Sequence, residues 1–409
     1  MNKDFKFIDG TKTDKSTRRV ALSHAMKGKN TGKTHQRRSR LDRDFTFVVE
    51  AVYPSVLCLS LDRIKSYWIQ MMYIDRTSYH CSLALMATLN GFVFDREAES
   101  LEAVHHLGKA VGLINQKLDT AEALSNSSIS VVNFLIIREM FRDEQYSAEI
   151  HLKGLQKMVR LRGGLSRLEG DRTLVLKISK TDIDYAFRYG TPTGFYRDGI
   201  AQAAKEMALN KFIIIADYSV CSGTNFDKID PFLLRILLDI IGLAHWFNRD
   251  DKRHKADPDM LQEAIVSVCY RLVRFHALGN PPLESKLDAA YHIGLIAFMT
   301  TLFLQFDGRR FLRYSLVSRC LKDIIERGLE GCDSDSLLWL LFIGGISVLE
   351  AADQRWVLLE IAHMVQFLGI ESWVQLRQLL IKFPWIGAIH DEPGKALWET
   401  VMTSSIENS

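Results

Sequence analysis

The sequence predicts an all-α protein, a large irregular helical bundle or a domain of stacked helix pairs, preceded by a flexible basic arm. Apolar residues recur at three- and four-residue steps along most of the chain, and neither sustained strand alternation nor a β-α-β rhythm is apparent. Only 8 of the 409 residues are proline, which permits long helices. Hydrophobic residues make up 47% and charged residues 25%, the composition of a globular protein rather than of a disordered chain.

Residues 1–48 are predicted to form a basic, largely flexible arm. Residues 1–43 hold 13 Lys or Arg and four Asp, a net charge of +9 that leaves −6 on the rest of a chain whose total is +3. Clusters of this kind are bound by import receptors or by nucleic-acid phosphates, and they also occur as solvated tails without a partner. The densest positive charge lies at Lys27, Lys29, Lys33, Arg37, Arg38, Arg40 and Arg43.

The helical body is predicted to span residues 49–409, where apolar residues become frequent. An apolar run at 79–89 fits a buried helix. Residues 97–117 carry apolar side chains from Leu101 to Ile114 at three- and four-residue steps, so a helix with this stripe buried is expected.

Helix-end signals position the helices that follow. Residues 125–128 are polar and offer N-cap side chains for a helix at 129–142. A helix at 146–162 is predicted to end at Gly163 and Gly164, because a helix C-cap often needs positive φ. Further helices are predicted at 232–248, 258–277, 285–305, 314–327, 334–349, 353–367 and 371–382.

Three stretches fit more than one structure. Residues 163–230 are less regular, and their apolar run at 213–215 suits either a strand or a buried helical turn. The apolar stretches 289–306 and 336–349 approach the length of a membrane span. The first contains His292 and several hydroxyl side chains that would be costly in lipid, so both are expected to be buried helices of a globular core.

The six cysteines do not predict a zinc site. They are dispersed, and none has the two-residue gap with which a short loop brings two thiolates to one zinc. They are interpreted as small buried apolar residues of an intracellular, reducing compartment, since the sequence also begins without the apolar segment of a secretory signal peptide. They are Cys58, Cys81, Cys221, Cys269, Cys320 and Cys332.

Candidate catalytic and cofactor motifs fail on spacing. Residues 28–34 resemble a phosphate-binding loop, but three residues separate the glycines where four are needed, and no hydrophobic strand precedes them. His105 and His106 are adjacent, so their rings should diverge on a helix. Asp182 and Asp184 are interpreted as a cap and a surface residue. The sequence therefore predicts no catalytic residue, no cofactor, no metal ligand and no enzyme, and leaves an active site without a motif open.

Three groups of segments resemble the fungal-specific transcription factor domain, the helical regulatory region of binuclear zinc-cluster regulators. The first has a Ser-His-x-Met core and a trailing arginine run. The second has a His-x-x-Gly-Leu helix ending in Arg-Gly-Gly, and the third is a Trp-bearing box. The segments lie at 5–9, 18–26 and 37–40 for the first group, 151–165 and 178–186 for the second, and 383–386 and 390–398 for the third.

The chain departs from that family in its cysteines. The family's DNA-binding module needs six cysteines within about forty residues so that two zinc ions share thiolates. Here the first cysteine is Cys58. The resemblance therefore implies either a regulatory domain without its own zinc-cluster DNA-binding module or a sequence from which an upstream exon has been lost.

These observations predict a nuclear regulator of transcription that acts through protein partners of the transcription machinery. Its arm is expected to bind an import receptor or to contact phosphates, without sequence-specific DNA binding and without a membrane partner. Two alternatives stay open: a helical enzyme or small-ligand-binding protein without a recognisable motif, and a cytoplasmic helical scaffold. The sequence leaves the oligomeric state and any effector ligand open.

Overall fold

Within the residues that the structure describes, the protein is all-α, as predicted. These residues belong to one compact unit of the chain, 44–409. The predicted division between arm and body at residues 48 and 49 stays a prediction. The computed structural model describes residues 53–93, 101–206, 225–249, 255–303, 313–328 and 334–407, with Val49 and the pairs 305–306 and 309–310.

Helices follow one another along the described chain. The first are α1 (Asp62–Tyr73), α2 (Arg76–Val93), α3 (Leu101–Leu118), α4 (Asn126–Phe141), α5 (Gln145–Leu161), α6 (Arg172–Tyr189) and α7 (Ile200–Glu206). The later ones are α8 (Pro231–Phe247), α9 (Pro258–Phe275), α10 (Lys286–Thr300), α11 (Ser315–Glu326), α12 (Ser334–Ser347), α13 (Gln354–Phe367), α14 (Trp373–Leu380) and α15 (Gly387–Glu407). Two short strands, β1 (Gln305–Phe306) and β2 (Arg309–Arg310), pair antiparallel.

Capping residues fix several helix ends. The Ser125 hydroxyl accepts a backbone N–H at the start of α4, as predicted. Asp230 and Asp257 each accept two backbone N–H groups at the starts of α8 and α9, where proline occupies the first helical position. After α5, Gly163 and Gly164 adopt φ of +96° and +92°, which confirms the predicted stop.

The core lies along α4, α6, α9, α10 and α12. Helix α2 packs against α3 and α4, α4 packs against α5 and α6, and α6 packs against α9. Helix α9 also packs against α8 and α10, and α10 packs against α11 and α12. The apolar stretches at 289–306 and 336–349 supply most of α10 and α12, whose described side chains are largely buried. No described helix is both long and apolar enough to cross a bilayer.

Some sequence-based expectations were wrong in detail. The helix predicted at 285–305 ends at Thr300. The predicted stripe of α3 is only partly buried: Ala110 and Ile114 are buried, whereas Leu101 is 89% exposed and the small residue Ala103 is buried instead. Periodicity failed to predict α6, which lies inside the region described above as irregular. The run at 213–215 lies outside the described residues.

Candidate functional site

A cavity of about 60 Å³ lies between α6 and the helices α1, α2 and α4. One water molecule needs roughly 10–15 Å³ on this scale, so the space suits about five waters or one compact molecule. Most of the wall is apolar, which is typical of ligand pockets. The apolar side chains include Trp68 from α1, Leu85 and Leu89 from α2, and Phe134 and Met140 from α4.

Helix α6 supplies the polar side of the cavity. Lys177, Lys180, Thr181 and Asp184 all line it, and their spacing of three, four and seven residues places them on one helical face. The Thr181 hydroxyl donates to the Lys177 carbonyl at 3.0 Å, so it is committed to the helix. The lysines and Asp184 are the polar groups that can meet a ligand.

The start of α6 is tied to two other walls of the cavity through Asp171. The carboxylate of this N-cap residue accepts the Leu174 backbone N–H at 3.1 Å. It also accepts the Tyr67 hydroxyl of α1 at 2.8 Å and the Asn126 amide of α4 at 3.1 Å. These hydrogen bonds fix the lysine-bearing face of α6 relative to α1 and α4.

Lys177 is surrounded by aromatic rings. Its Nζ lies 3.7 Å from the centroid of the Trp68 ring, 4.9 Å from that of Tyr67 and 5.7 Å from that of Phe134. Desolvation by the surrounding protein lowers the pKa of Lys177 to about 7. Among the described residues, no carboxylate forms an ion pair with this amine, although Asp171 and Asp259 favour its charged form from a distance.

Lys180 and Asp184 form the second polar part of the cavity. The Lys180 Nζ lies 5.0 Å from the Phe303 ring centroid, and burial lowers its pKa to about 8. Asp184 is engaged elsewhere, because it accepts the Tyr314 hydroxyl at 2.7 Å and lies 3.6 Å from Arg188 Nε. Asp184 therefore contacts Tyr314 and Arg188 while it also lines the cavity.

The arrangement combines apolar walls with two amines that have lost much of their hydration. Burying the Lys177 ammonium group without an ion-paired carboxylate is costly, and the neighbouring aromatic rings offset only part of that cost. Strongly lowered lysine pKa values inside a cavity often indicate a functional site. The cavity can therefore hold a compact apolar molecule and interact with one polar or anionic group on it.

The other residues considered from the sequence do not join this cavity. The basic-arm residues, Lys27 to Arg43, lie outside the described residues. The rings of His105 and His106 were expected to diverge, but they lie edge to face with centroids 5.4 Å apart and planes at 74°. His106 Nδ1 also lies 2.8 Å from Nδ1 of His80. Among the described residues, no three His, Cys, Asp or Glu side chains are grouped so as to hold a metal ion.

The interpretation of Asp182 and Asp184 as a cap and a surface residue was wrong. Both side chains are buried on α6. Asp182 accepts the backbone N–H groups of Gly194 and Phe195 at 2.9 and 3.0 Å, whereas Asp184 faces the cavity. The two do point in different directions, as the spacing predicted, but each serves a buried contact.

Sequence reasoning missed the cavity because its lysines looked like ordinary surface residues. The available signal was the three-residue spacing of Lys177 and Lys180, which interrupt an otherwise largely apolar run. Comparisons of the chain with protein-family models, with curated proteins and with solved structures find no match. The resemblance to fungal regulators consequently stays a prediction.

Proposed function

We propose that this protein is a helical ligand-binding protein of regulatory type, with the cavity beside α6 as its binding site. One observation carries the proposal: Lys177 extends its amine into an apolar cavity where ring faces are its nearest partners. No described carboxylate forms an ion pair with that amine. A ligand that contacts Lys177 would compensate for the lost hydration.

A purely structural role explains the lysine poorly. Lowering its pKa from 10.5 to about 7 corresponds to about 5 kcal/mol against the charged form. A leucine or methionine would fill the same space without that cost. Buried ionisable groups that reduce stability are characteristic of sites where function needs them.

Ligand-observed NMR with four small probes tests the proposal: butyrate, butyramide, benzoate and benzamide. At least one should bind, and Leu85→Phe should weaken that binding at least about tenfold, because the larger ring occupies the cavity. Leu161→Phe on α5 is the matched control, since Leu161 is 63% exposed and lies away from the cavity. If all four probes fail to bind, or Leu85→Phe binds as well as the parent, the cavity is not a ligand site.

We also propose that the protein regulates transcription in the nucleus through protein partners, without a zinc-cluster DNA reader of its own. The family resemblance and the charge of +9 on residues 1–43 support this proposal. Ligand binding by the body and nuclear entry through the arm are compatible, because they concern separate parts of the chain.

Alanine substitution of Arg37, Arg38 and Arg40 tests the nuclear proposal. A fluorescent fusion of the variant should shift toward the cytoplasm, while its circular dichroism stays helical. Substituting Arg160, Lys157 and Lys153 of α5 removes equal charge from the body and should leave the distribution unchanged. A parent protein excluded from nuclei would remove the support for transcriptional regulation and favour a cytoplasmic scaffold.

A further inference from the structure

We infer that the ligand of the cavity is a compact monocarboxylate, held with its carboxylate against the amines of Lys177 and Lys180 and its apolar part against the Trp68 and Phe134 walls. This inference rests on the proposed function, because it names the chemical class of ligand for the same cavity. The observations that carry it are the charge of the lining, the placement of the two lysines and the size of the space.

The charge of the lining favours an anion. The ionisable groups of the lining are the two lysines and Asp184. Asp184 already accepts the Tyr314 hydroxyl and lies beside Arg188. A single carboxylate supplies negative charge where the lysines are, and charge-assisted hydrogen bonds to ammonium groups are among the strongest available to a small ligand.

The placement of the lysines suits one carboxylate rather than two. Lys177 and Lys180 lie one turn apart on the same face of α6, so their ammonium groups can approach a single pair of carboxylate oxygens. Asp184, one further turn along that face, would repel a second carboxylate. A dicarboxylate is therefore disfavoured at the same site.

Size and polarity exclude larger or more polar anions. The cavity of about 60 Å³ is smaller than the roughly 150 Å³ that accommodates a benzene ring, so a short aliphatic acid suits it better than an aromatic one. A phosphate group would leave oxygens unpaired against the apolar wall, because its recognition requires several donors arranged around it. The apolar side chains Trp68 of α1 and Phe134 of α4 instead match the hydrocarbon part of a monocarboxylate.

Proton uptake should accompany binding. Burial lowers the pKa of Lys177 to about 7 and that of Lys180 to about 8, so part of each amine is neutral in the empty cavity above neutral pH. A bound carboxylate favours the charged amines, so its affinity should fall about tenfold per pH unit between about pH 7 and 8 and more steeply above about pH 8, where both amines are neutral in the empty cavity. The surrounding cysteine thiols stay protonated in this range because burial raises their pKa. The groups that act on the two amines are Asp171 and Asp259 for Lys177, and Asp184, Cys58 and Cys269 for Lys180.

Calorimetric and NMR titration of the full chain with butyrate and with butyramide, at matched ionic strength, tests the inference. The two probes have nearly the same shape and differ in charge. We expect butyrate to bind at least about tenfold more tightly at pH 7, and butyramide binding to be independent of pH between 7 and 9. Lys177→Met should abolish the preference for butyrate over butyramide.

Lys153→Met is the matched control, because Lys153 pairs with Glu149 on the exposed surface of α5. It should leave both affinities unchanged, and Lys180→Met should reduce the preference for butyrate as Lys177→Met does. Equal binding of butyrate and butyramide to the parent overturns the carboxylate inference and leaves the ligand-binding proposal standing. Failure of all four small probes overturns both.

Discussion

Replacing Lys177 with methionine should make the ligand-free protein more stable at neutral pH. The folded protein lowers the pKa of this amine from 10.5 to about 7, which corresponds to about 5 kcal/mol that folding spends at low and neutral pH. Methionine fills a similar volume without a charge. The substitution also removes the cation–π contact at 3.7 Å to Trp68 and its weaker neighbours, worth about 2 kcal/mol. The expected net gain is about 3 kcal/mol at pH 7.

The pH dependence of stability provides the sharper measurement. Because the folded pKa lies below the unfolded one, the charge of Lys177 costs no stability above about pH 10.5. This cost grows as the pH falls and is complete below about pH 7. Urea unfolding between pH 6.5 and 9 should show the difference between Lys177→Met and the parent shrinking as pH rises. The surface control Lys153→Met should change stability by less than about 0.5 kcal/mol at every pH.

A destabilised Lys177→Met protein at pH 7 would refute this reasoning. It would mean that the amine contributes more through its ring contacts than it loses by desolvation. A gain that does not vary with pH would instead show that methionine improves packing, with no shifted titration involved.

Other parts of the structure give further expectations. Asp184→Asn should destabilise the protein by about 3 kcal/mol in urea unfolding, because Arg188 then stays buried without its carboxylate; an unchanged midpoint would show that this ion pair is dispensable. Gly190→Ala should cost about 2 kcal/mol or more, since φ is +72° and the added Cβ would lie 2.8 Å from Gly279 N; a neutral result would mean that the α6 end relaxes easily. Elemental analysis should find less than one zinc per chain, and stoichiometric zinc lost on cysteine substitution would contradict the dispersed-cysteine argument.

The sequence was sufficient for helices with a polar side or a clear end signal. Helices α4 and α5 follow the predicted bounds within a few residues, because Ser125 and the glycines at 163 and 164 act locally. The long apolar runs that form α10 and α12 also predicted buried helices correctly. These features depend on residues that are close together in the sequence, so they can be predicted without knowledge of the fold.

The sequence alone could not choose the buried side of α3. Apolar residues occur around more than one side of that helix, so periodicity indicated a helix without fixing its orientation. The structure buries Ala103 and Ala110, which allow close approach, and leaves Leu101 at the surface. The choice depends on which partner helix comes near, and that partner is set by the whole fold.

Only the tertiary structure revealed α6 and the candidate site. Most of α6 is buried on all sides, so it lacks the single apolar stripe that identifies a surface helix, and its polar residues resemble exposed ones in sequence. Whether Lys177 faces water or the ring of Trp68 depends on α1, more than 100 residues earlier in the chain. The sequence by itself determined that the chain is helical and where its charge lies. The packing of distant helices decided which charges lose their water, because desolvation depends on every neighbour in space.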